Sequence, residues 1–295
     1  MVAIILVNYN GSTDTIDCIK SLNKIKNLKF EIIVVDNCST DDSIEKLQKI
    51  KNNYKFTLIE AESNNGFSAG NNIGIEYAKK IEADYYLLLN NDTVVESDFL
   101  EKLLSPFENK NCGATISKIL YFSNKNMIWY NGGNLNNKTG RTEHYDFNKM
   151  NIPDQKENQK VTFASGCCLC ISKEVVDKVG LLDENFFLYE EDAEYSYRIL
   201  KNGFDIIYVP ESIIYHKVSA STGQNSAMSQ YYSVRNKYFF IKICFKGYRK
   251  FIAYAYCTVQ FIFRCLKREM NLKYYIMGLK AFLRKETGKM KGTLK

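Results

Sequence analysis

The chain has 295 residues, 45% of them hydrophobic, and a formal net charge of +7. It can bury a substantial core, as one large domain or one domain with an appendage, and three prolines without a low-complexity tract argue against a long linker. Basic residues crowd the part after Arg235 but no nucleic-acid motif accompanies them, so we expect no nucleic-acid partner and favour a membrane surface.

The N-terminus and the cysteines bear on localisation. Met1 is followed at once by strand-like residues without a basic segment, so no signal peptide is expected. Nine cysteines without regular spacing are typical of reduced thiols in a cytosolic protein. Cys167, Cys168 and Cys170 resemble half of a metal site, but the other half is missing, and small buried strand residues are the preferred interpretation. We expect a cytoplasmic protein, peripheral on the inner face of the cell membrane.

Apolar runs of strand length alternate with segments of helical periodicity over residues 1–96. The predicted strands cover 1–8, 30–35, 56–59 and the apolar start of 85–95. One helix is predicted to begin at Ser12, a second to be capped by Ser39 or Thr40, and a third to follow a loop of small residues. This alternation predicts an α/β fold with a parallel sheet and right-handed crossovers.

Polar side chains follow each of these strands, namely Tyr9 with Asn10, Asp36, the loop 64–72, and Asp92. The carboxyl ends of parallel strands lie at one edge of a sheet, so these turns are predicted to form one pocket. A carboxylate such as Asp92 suits a hard cation that carries phosphates, and Asp36 can accept a hydrogen bond from a base imide N–H. Ordinary turn and helix-capping roles remain alternatives for these residues.

The pattern changes after a helix that begins near Ser97. Strands are predicted over 114–122, 127–133 and 161–172, with a hairpin loop over 134–140 and a helix over 173–179. A helix ending at Gly203 then leads to strands over 205–209 and 212–215 that deliver His216, whereas His144 is expected to be exposed.

Four acids stand close together before and within the helix that ends at Gly203: Glu190, Glu191, Asp192 and Glu194. Such crowding can raise the pKa of one carboxyl toward neutrality. The same residues can also form a solvated face at a helix start. The residues alone leave both interpretations open.

Six motifs in fixed order resemble the family 2 glycosyltransferases, most closely their rhamnosyltransferase-like branch. They are Val7-Asn8-Tyr9-Asn10, Val34-Val35-Asp36-Asn37-x-Ser39-x-Asp41, Asn65-Gly66-Phe67-x-x-Gly70-x-Asn72, Leu89-Asn90-Asn91-Asp92, Gly180-x-x-Asp183-Glu184-x-Phe186-Phe187-x-Tyr189-x-Glu191-Asp192, and His216. A weaker match, Tyr231-Tyr232-x-x-Arg235-Asn236, extends the resemblance to about residue 240. It implies a GT-A (Rossmann-like nucleotide-binding) fold with a mostly parallel central sheet, a nucleoside-diphosphate-sugar donor, Mg²⁺ or Mn²⁺, and inverting transfer.

The resemblance also implies roles for single residues. The positions assigned to the nucleotide-sugar are Val7, Asn8, Tyr9, Asp36, Asn65, Gly70, Asn72, Asn90 and Asn91. Asp92 matches the metal-binding carboxylate, with Asn90 where many relatives have a second carboxylate. His216 matches a position near the diphosphate and metal, although a lone histidine is more often structural. Asp192 matches the general base, with Tyr189 and Glu191 on the acceptor side.

The residues after 230 are aromatic and basic. Their longest nearly uncharged stretch, 251–263, is too short to cross a bilayer of roughly 30 Å as a helix. Basic residues beside aromatic ones favour a helix lying in the membrane interface, and a helix pair packed on the rest of the chain or on a second subunit is the alternative. We therefore predict a catalytic domain over 1–230, with a donor half 1–96 and an acceptor half 97–230, and amphipathic C-terminal helices over 231–295.

The expected activity is transfer of rhamnose or a hexose from a dTDP- or UDP-linked donor to a hydroxyl of a growing cell-surface glycan, free or lipid-linked. A sugar-phosphate nucleotidyltransferase is a second hypothesis, but the Gly-rich loop with Arg and Lys that such enzymes carry is absent after Asn10. A non-catalytic glycan-binding protein is a third, and it would not need Asp92 and Asp192 together.

Overall fold

The computed structural model describes residues 1–152, 157–218 and 226–292. Its strands are β1 (Val2–Asn8), β2 (Phe30–Asp36), β3 (Thr57–Glu60), β4 (Tyr85–Leu89), β5 (Thr93–Val95), β6 (Cys112–Tyr121), β7 (Ile128–Tyr130), β8 (Gly133–Leu135), β9 (Thr142–His144), β10 (Gln159–Val161), β11 (Cys168–Ser172) and β12 (Asp205–His216). Its α-helices are α1 (Ser12–Leu22), α2 (Ser43–Ile50), α3 (Phe67–Lys80), α4 (Phe99–Leu104), α5 (Lys173–Val179), α6 (Glu191–Lys201), α7 (Ala227–Cys244), α8 (Gly247–Leu266) and α9 (Leu272–Leu283). The last three residues of the predicted C-terminal region lie outside this description.

The first half of the chain forms a parallel sheet with strand order β4-β1-β2-β3. Most side chains of β1, β2 and β4 are buried on both faces, as their continuous apolar runs predict. Asn8 and Asp36 pair at the carboxyl ends of β1 and β2. The parallel arrangement and the shared edge predicted from the sequence are confirmed here.

The second half extends this sheet in the order β4-β11-β6-β12-β10. Strand β11 runs antiparallel to both neighbours, while β12 runs parallel to β6. On the main path, β3, β2, β1, β4, β6 and β12 therefore share one direction, and β11 and β10 oppose it. The α/β fold with a mostly parallel central sheet is confirmed.

Three strand predictions in this half are wrong in detail. The segment 161–172 splits into the end of β10 and β11, separated by a connection over 162–167, and 127–133 splits into β7 and the start of β8. The segment 205–216 is instead one strand with an irregular register between Val209 and Ile213. Pro210 lies there, and a residue without an N–H is tolerated in a strand at such an interruption.

The start of α2 also differs from the prediction. Ser39 and Thr40 do not cap it, because the helix begins at Ser43. The hydroxyl of Ser39 instead donates a hydrogen bond to Asp36. The serine that follows β2 therefore contributes to the pocket edge.

The C-terminal helices share the core of the sheet. Val234, Tyr238 and Phe240 of α7 are buried in the same hydrophobic cluster as the strands. Gly278 of α9 lies against the backbone of Tyr231, where a Cβ would approach within 2.8 Å of the carbonyl oxygen. No α-helix in the described ranges is long and apolar enough to cross a membrane.

A positive-φ glycine joins the loop before α3 to the second half. Gly66 has φ 94° and ψ −174°, and a Cβ there would lie 2.1 Å from the carbonyl oxygen of Phe187. The N–H of Phe67 donates to that same oxygen. Any side chain at Gly66 would therefore separate the loop from the Phe187 backbone.

We expect Gly66→Ala to lower the free energy of unfolding by about 1–3 kcal/mol more than Gly180→Ala. Gly180 has nearly the same conformation, φ 87° and ψ −171°, but nothing lies within 4 Å of its missing Cβ. Both variants incur the conformational strain and only Gly66→Ala adds the clash. Urea unfolding curves measure the difference. Equal losses of unfolding free energy would show that the Phe187 backbone can move away from an added Cβ at little cost.

Candidate active site

Asp92 and His216 lie in contact at the carboxyl edge of the sheet. β5 pairs with the end of β12, so that Thr93 lies opposite His216. The Oδ1 atom of Asp92 is 3.1 Å from Nε2 of His216, and both side chains are largely buried. The structure thus brings together the two residues predicted to bind a metal.

A lysine that the sequence analysis did not select holds this edge against α1. The N–H of Lys217 donates to the carbonyl oxygen of Asp92, and its Nζ lies 2.8 Å from carboxylate oxygens of both Asp14 and Asp17. The hydrogen bond from Lys217 lowers the pKa of Asp17. The pairing fixes the segment after β12 to the helix that follows β1.

A chain of side-chain hydrogen bonds connects Asn91 to Asp36. The Nδ2 of Asn91 donates to the hydroxyl of Thr15 (2.9 Å), and that hydroxyl donates to Oδ1 of Asn8 (2.7 Å). The Nδ2 of Asn8 in turn donates to Asp36 (2.7 Å). Thr15 was missed by the sequence analysis because a threonine in a helix carries no sign of such a role. Asn8 is fully buried, which favours positioning of its neighbours over ligand contact.

The carboxylate of Asp36 is held in a fixed orientation. It accepts the backbone N–H of Ser39 at 2.8 Å and the Ser39 hydroxyl at 2.7 Å, besides the amide of Asn8. Tyr9, which follows β1, is 42% exposed and leaves its ring accessible at the same edge. An exposed aromatic ring beside an oriented carboxylate is suited to a nucleoside base.

The three site residues predicted in the loop before α3 and in α3 itself have different environments. Gly70 lies against Val7, where a Cβ would approach within 2.8 Å of the valine, so this glycine allows close packing. Asn65 is exposed. Asn72 is buried, and its amide bonds to the backbone of Leu182 and to Glu184. Its hydrogen bonds thus join α3 to the second half, which indicates a positioning role.

The connection from β10 to β11 contacts the segment that leads to Asp92 and also contacts Asp192, so both residues lie at the same edge of the sheet. The Asn90 N–H donates to the carbonyl of Cys167, and the Gly166 N–H donates to the carboxylate of Asp192 at 3.2 Å. Burial, followed by the charge of Asp92, raises the pKa of the Cys167 thiol. The same short loop therefore contacts Asn90, two residues before Asp92, and Asp192.

The acids at the start of α6 differ in environment. Burial, with a contribution from Glu190, raises the pKa of Asp192 to about 6. Burial, together with the charge of Asp192, also raises the pKa of Glu191 well above its usual range. Glu191 is only 7% exposed, so any effect on an acceptor would act mainly through its neighbours.

The two residues before α6 have positive φ, 68° at Tyr189 and 72° at Glu190. This conformation is uncommon for residues other than glycine and persists where surrounding contacts enforce it. The amide of Asn236 in α7 donates to the carbonyl oxygen of Tyr189, and Lys237 forms an ion pair with Glu190 at 2.7 Å. Helix α7 therefore holds the turn that orients Asp192.

His144 and the three clustered cysteines lie outside the site, and the structure shows the environment of each. His144 is not exposed as expected, because its ring lies among Trp129, Tyr130 and Phe163, and burial lowers its pKa. Cys167, Cys168 and Cys170 are buried free thiols, in agreement with the preferred interpretation. Within 1–152, 157–218 and 226–292, no group of three His, Cys, Asp or Glu side chains is arranged to hold a metal ion.

The fold and this edge define a class of protein. The structure is similar to GalNAc-T7 with UDP, GalNAc and Mn²⁺, with a TM-score of 0.64 and 20% identity over 82% of this chain and 50% of that one. It is also similar to the mannosyltransferase PcManGT of Pyrobaculum calidifontis with GDP-Man and Mn²⁺, with a TM-score of 0.63 and 12% identity over 97% and 87% of the two chains. The fold is that of the GT-A glycosyltransferases.

Sequence comparison identifies the family. Residues 3–180 match the model described as glycosyl transferase family 2, so the chain belongs to that family of enzymes. It is 29% identical over 210 residues to the hexosyltransferase Agl10 of low-salt glycan biosynthesis in Haloferax volcanii, covering 69% of this chain and 63% of that protein. It is 25% identical over 246 residues to the dTDP-rhamnosyl transferase RfbF of Shigella flexneri, covering 81% and 79% of the two chains.

We expect Thr15→Val to lower the free energy of unfolding by about 1–3 kcal/mol, because it leaves the buried amide of Asn8 and the half-buried amide of Asn91 without their shared partner. Thr115→Val is the matched control. Thr115 is also fully buried, and the only hydrogen-bond partner of its hydroxyl among the described residues is the weakly bonding thiol of Cys170, so its removal should cost less than that of Thr15. Thermal unfolding compares the two, and similar losses would argue against the chain of hydrogen bonds.

Proposed function

We propose that the protein is an inverting glycosyltransferase that moves rhamnose or a hexose from a dTDP- or UDP-linked donor to a hydroxyl of a growing cell-surface glycan. The observation that carries this proposal is that the 166–167 loop contacts both Asn90, two residues before Asp92, and the carboxylate of Asp192. Family membership and the similarity to RfbF support the reaction class and the donor.

The contact between Asp92 and His216 fits a divalent metal such as Mg²⁺ or Mn²⁺. A carboxylate and an imidazole nitrogen 3.1 Å apart are two suitable ligand atoms at the carboxyl edge of the sheet. Such ions commonly take one or two protein groups and complete their coordination with substrate phosphates and water. When bound, the ion would stabilise the negative charge of the departing diphosphate.

Asp192 is the proposed general base. An acceptor hydroxyl must lose its proton as it attacks the anomeric carbon, and an oriented carboxylate with a pKa of about 6 can accept that proton at neutral pH. The N–H groups of Gly166 and Ala193 hold its two oxygens in place. These two hydrogen bonds fix the orientation of the proposed proton acceptor.

Release of nucleoside diphosphate from a panel of donors, with Mg²⁺ or Mn²⁺ and a glycan acceptor, tests the reaction class. Turnover of a nucleoside triphosphate with a sugar phosphate would favour a nucleotidyltransferase instead. Glycan binding without release would favour a binding protein.

Asp192→Asn should reduce transfer by about 10²-fold or more and leave nucleotide affinity unchanged, because it removes only the proton acceptor. Asp92→Ala should weaken Mn²⁺-dependent binding of UDP or dTDP as well as turnover. Calorimetry with each nucleotide in the presence of Mn²⁺ separates the two. Loss of nucleotide affinity in Asp192→Asn, or normal transfer by it, would show that the base is misassigned.

The pH dependence of transfer should follow the ionisation of Asp192. Only the deprotonated carboxylate accepts a proton, so kcat/KM should rise with pH through about 6 and level off above it. Glu190→Gln should move this rise to lower pH, because the Glu190 charge raises the pKa of Asp192 and its loss frees Lys237, which lowers it. An unmoved profile in Glu190→Gln would contradict this.

We also propose that the outer face of α8 lies against an anionic membrane surface. Tyr248, Phe251, Val259 and Leu266 recur at helical spacing and are each at least 66% exposed. Basic residues accompany them along the helix. An apolar helix face bordered by cations suits the interface of a bilayer with anionic lipids. A homodimer through the same face is the alternative.

Replacing both Phe251 and Leu266 by Ser should weaken binding to vesicles that contain phosphatidylserine by at least about tenfold, since each buried side chain of this size contributes roughly 1.5–3 kcal/mol. Ile152→Ser, which alters an equally exposed side chain outside the helix, should have no effect. Vesicle sedimentation measures binding. Unchanged sedimentation together with dissociation of a dimer in gel filtration would assign the face to a second copy.

A further inference from the structure

Arg235 is a buried cation with unused hydrogen-bonding capacity. It is 1% exposed, in the middle of α7. Its Nε donates to the side chain of its neighbour Asn236, and beyond a contact with the Tyr231 hydroxyl its Nη1 and Nη2 make no further hydrogen bond among the described residues. A guanidinium is always charged, and burying it without acceptors is costly. Such a group calls for a ligand.

Arg235 lines a cavity of about 420 Å³. The other lining residues come from the segment after α9, and they are Arg284, Lys285, Glu286, Thr287, Lys289, Met290 and Lys291. Five basic side chains, Arg235 included, face one acidic side chain around this cavity. The surroundings are therefore strongly positive and enclose a volume sufficient for a phosphate or a diphosphate.

Aromatic stacking accounts for only part of the arrangement. The guanidinium lies over the rings of Tyr232 at 4.7 Å and Tyr231 at 5.6 Å, and such contacts stabilise a buried cation. Stacking engages the flat face of the guanidinium, and apart from Asn236 and the Tyr231 hydroxyl the N–H groups at its edge have no acceptor among the described residues. Two parallel N–H donors are the geometry by which arginine binds carboxylate or phosphate.

The cavity is next to the acceptor side and apart from the donor edge. The ring of Tyr232 stacks on Phe187 at 5.0 Å, in the segment that leads to Tyr189 and Asp192. Arg235 is followed by Asn236 and Lys237, which hold the turn before Asp192. None of the residues lining the cavity belongs to the edge formed by Asp36, Asp92 and His216.

We propose that this cavity binds a phosphate group and that the group belongs to the acceptor. The second part rests on the proposed function, because it requires an acceptor that carries a phosphate, such as a lipid phosphate. Arg235 would bind two oxygens of that phosphate, with lysines of the segment 284–291 supplying further charge. Because the same helix orients Asp192, a bound phosphate would fix the acceptor relative to the base.

Thermal unfolding with inorganic pyrophosphate in metal-depleted buffer tests the site. Wild type should gain stability with pyrophosphate, because a ligand that binds the folded state stabilises it. Arg235→Met should lose this gain while unfolding at the same or a higher temperature without pyrophosphate, since an apolar residue of similar size replaces an unpaired charge. Asp92→Ala should keep the gain. A destabilised Arg235→Met in the absence of pyrophosphate would show that Arg235 is structural, and loss of the gain in Asp92→Ala would place the anion at the donor edge.

A second variant keeps Arg235, so its effect on pyrophosphate binding does not depend on whether Arg235→Met folds correctly. Lys285→Ala combined with Lys289→Ala should weaken pyrophosphate binding by at least about threefold through reduced charge, whereas Lys273→Ala, on α9 but outside the cavity, should not. Calorimetry measures both. Equal affinity in all three proteins would overturn the assignment of the cavity as the site.

Three probes distinguish the source of the phosphate. Dodecyl phosphate should bind to wild type, displace pyrophosphate and lose at least about tenfold in affinity in Arg235→Met. Phosphatidylcholine vesicles with phosphatidic acid should bind both proteins equally, and weaker binding by Arg235→Met would assign the site to a bilayer headgroup. Displacement of pyrophosphate by UDP without metal would assign it to the donor. These measurements need no turnover, so their failure leaves the proposed transfer reaction standing, and absence of transfer leaves the anion site standing.

Discussion

The reversed strand β11 is the constraint on which the rest of the structure depends. It is inserted between β4 and β6 and runs antiparallel to both. Because of this direction, β11 begins at the edge of the sheet where β4 ends. The loop before it, at Gly166 and Cys167, therefore meets Asn90 on one side and Asp192 on the other. A parallel strand at this place would begin at the opposite edge and leave the two carboxylates without a common neighbour.

The proposed donor edge and the proposed acceptor side are held by different means. Side-chain hydrogen bonds through Asn8 and Thr15 organise the ends of β1, β2 and β4. Backbone strain at Tyr189 and Glu190, enforced by α7, shapes the turn before Asp192. The rigid edge is suited to a nucleotide whose shape is fixed. The turn at Tyr189 and Glu190 depends on contacts with α7, so changes in the C-terminal region can reach Asp192.

Helix α7 also connects the two surfaces that distinguish the C-terminal region. One is the basic cavity at Arg235, and the other is the exposed apolar face of α8, which follows α7 directly and packs on it. A phosphate-bearing acceptor at a membrane would need both a cationic cavity and an apolar surface. Their presence on consecutive helices beside the turn of Asp192 gives the C-terminal region a role in acceptor binding, in the function that we propose.

The sequence by itself determined the alternation of strand and helix in the first half and the polar residues at each strand end, because apolar runs and turn residues are local signals. It also determined the family, through six motifs in order. It could not determine the direction of β11, since an apolar run fits a buried strand in either direction. Nor could it distinguish Asn8 and Asn72, which are buried and bonded within the protein, from residues that face a ligand. The roles of Thr15 and Lys217 were decided by the tertiary structure alone, because they depend on contacts with residues far apart in the chain, and the burial of Arg235 beside the segment 284–291 was decided in the same way.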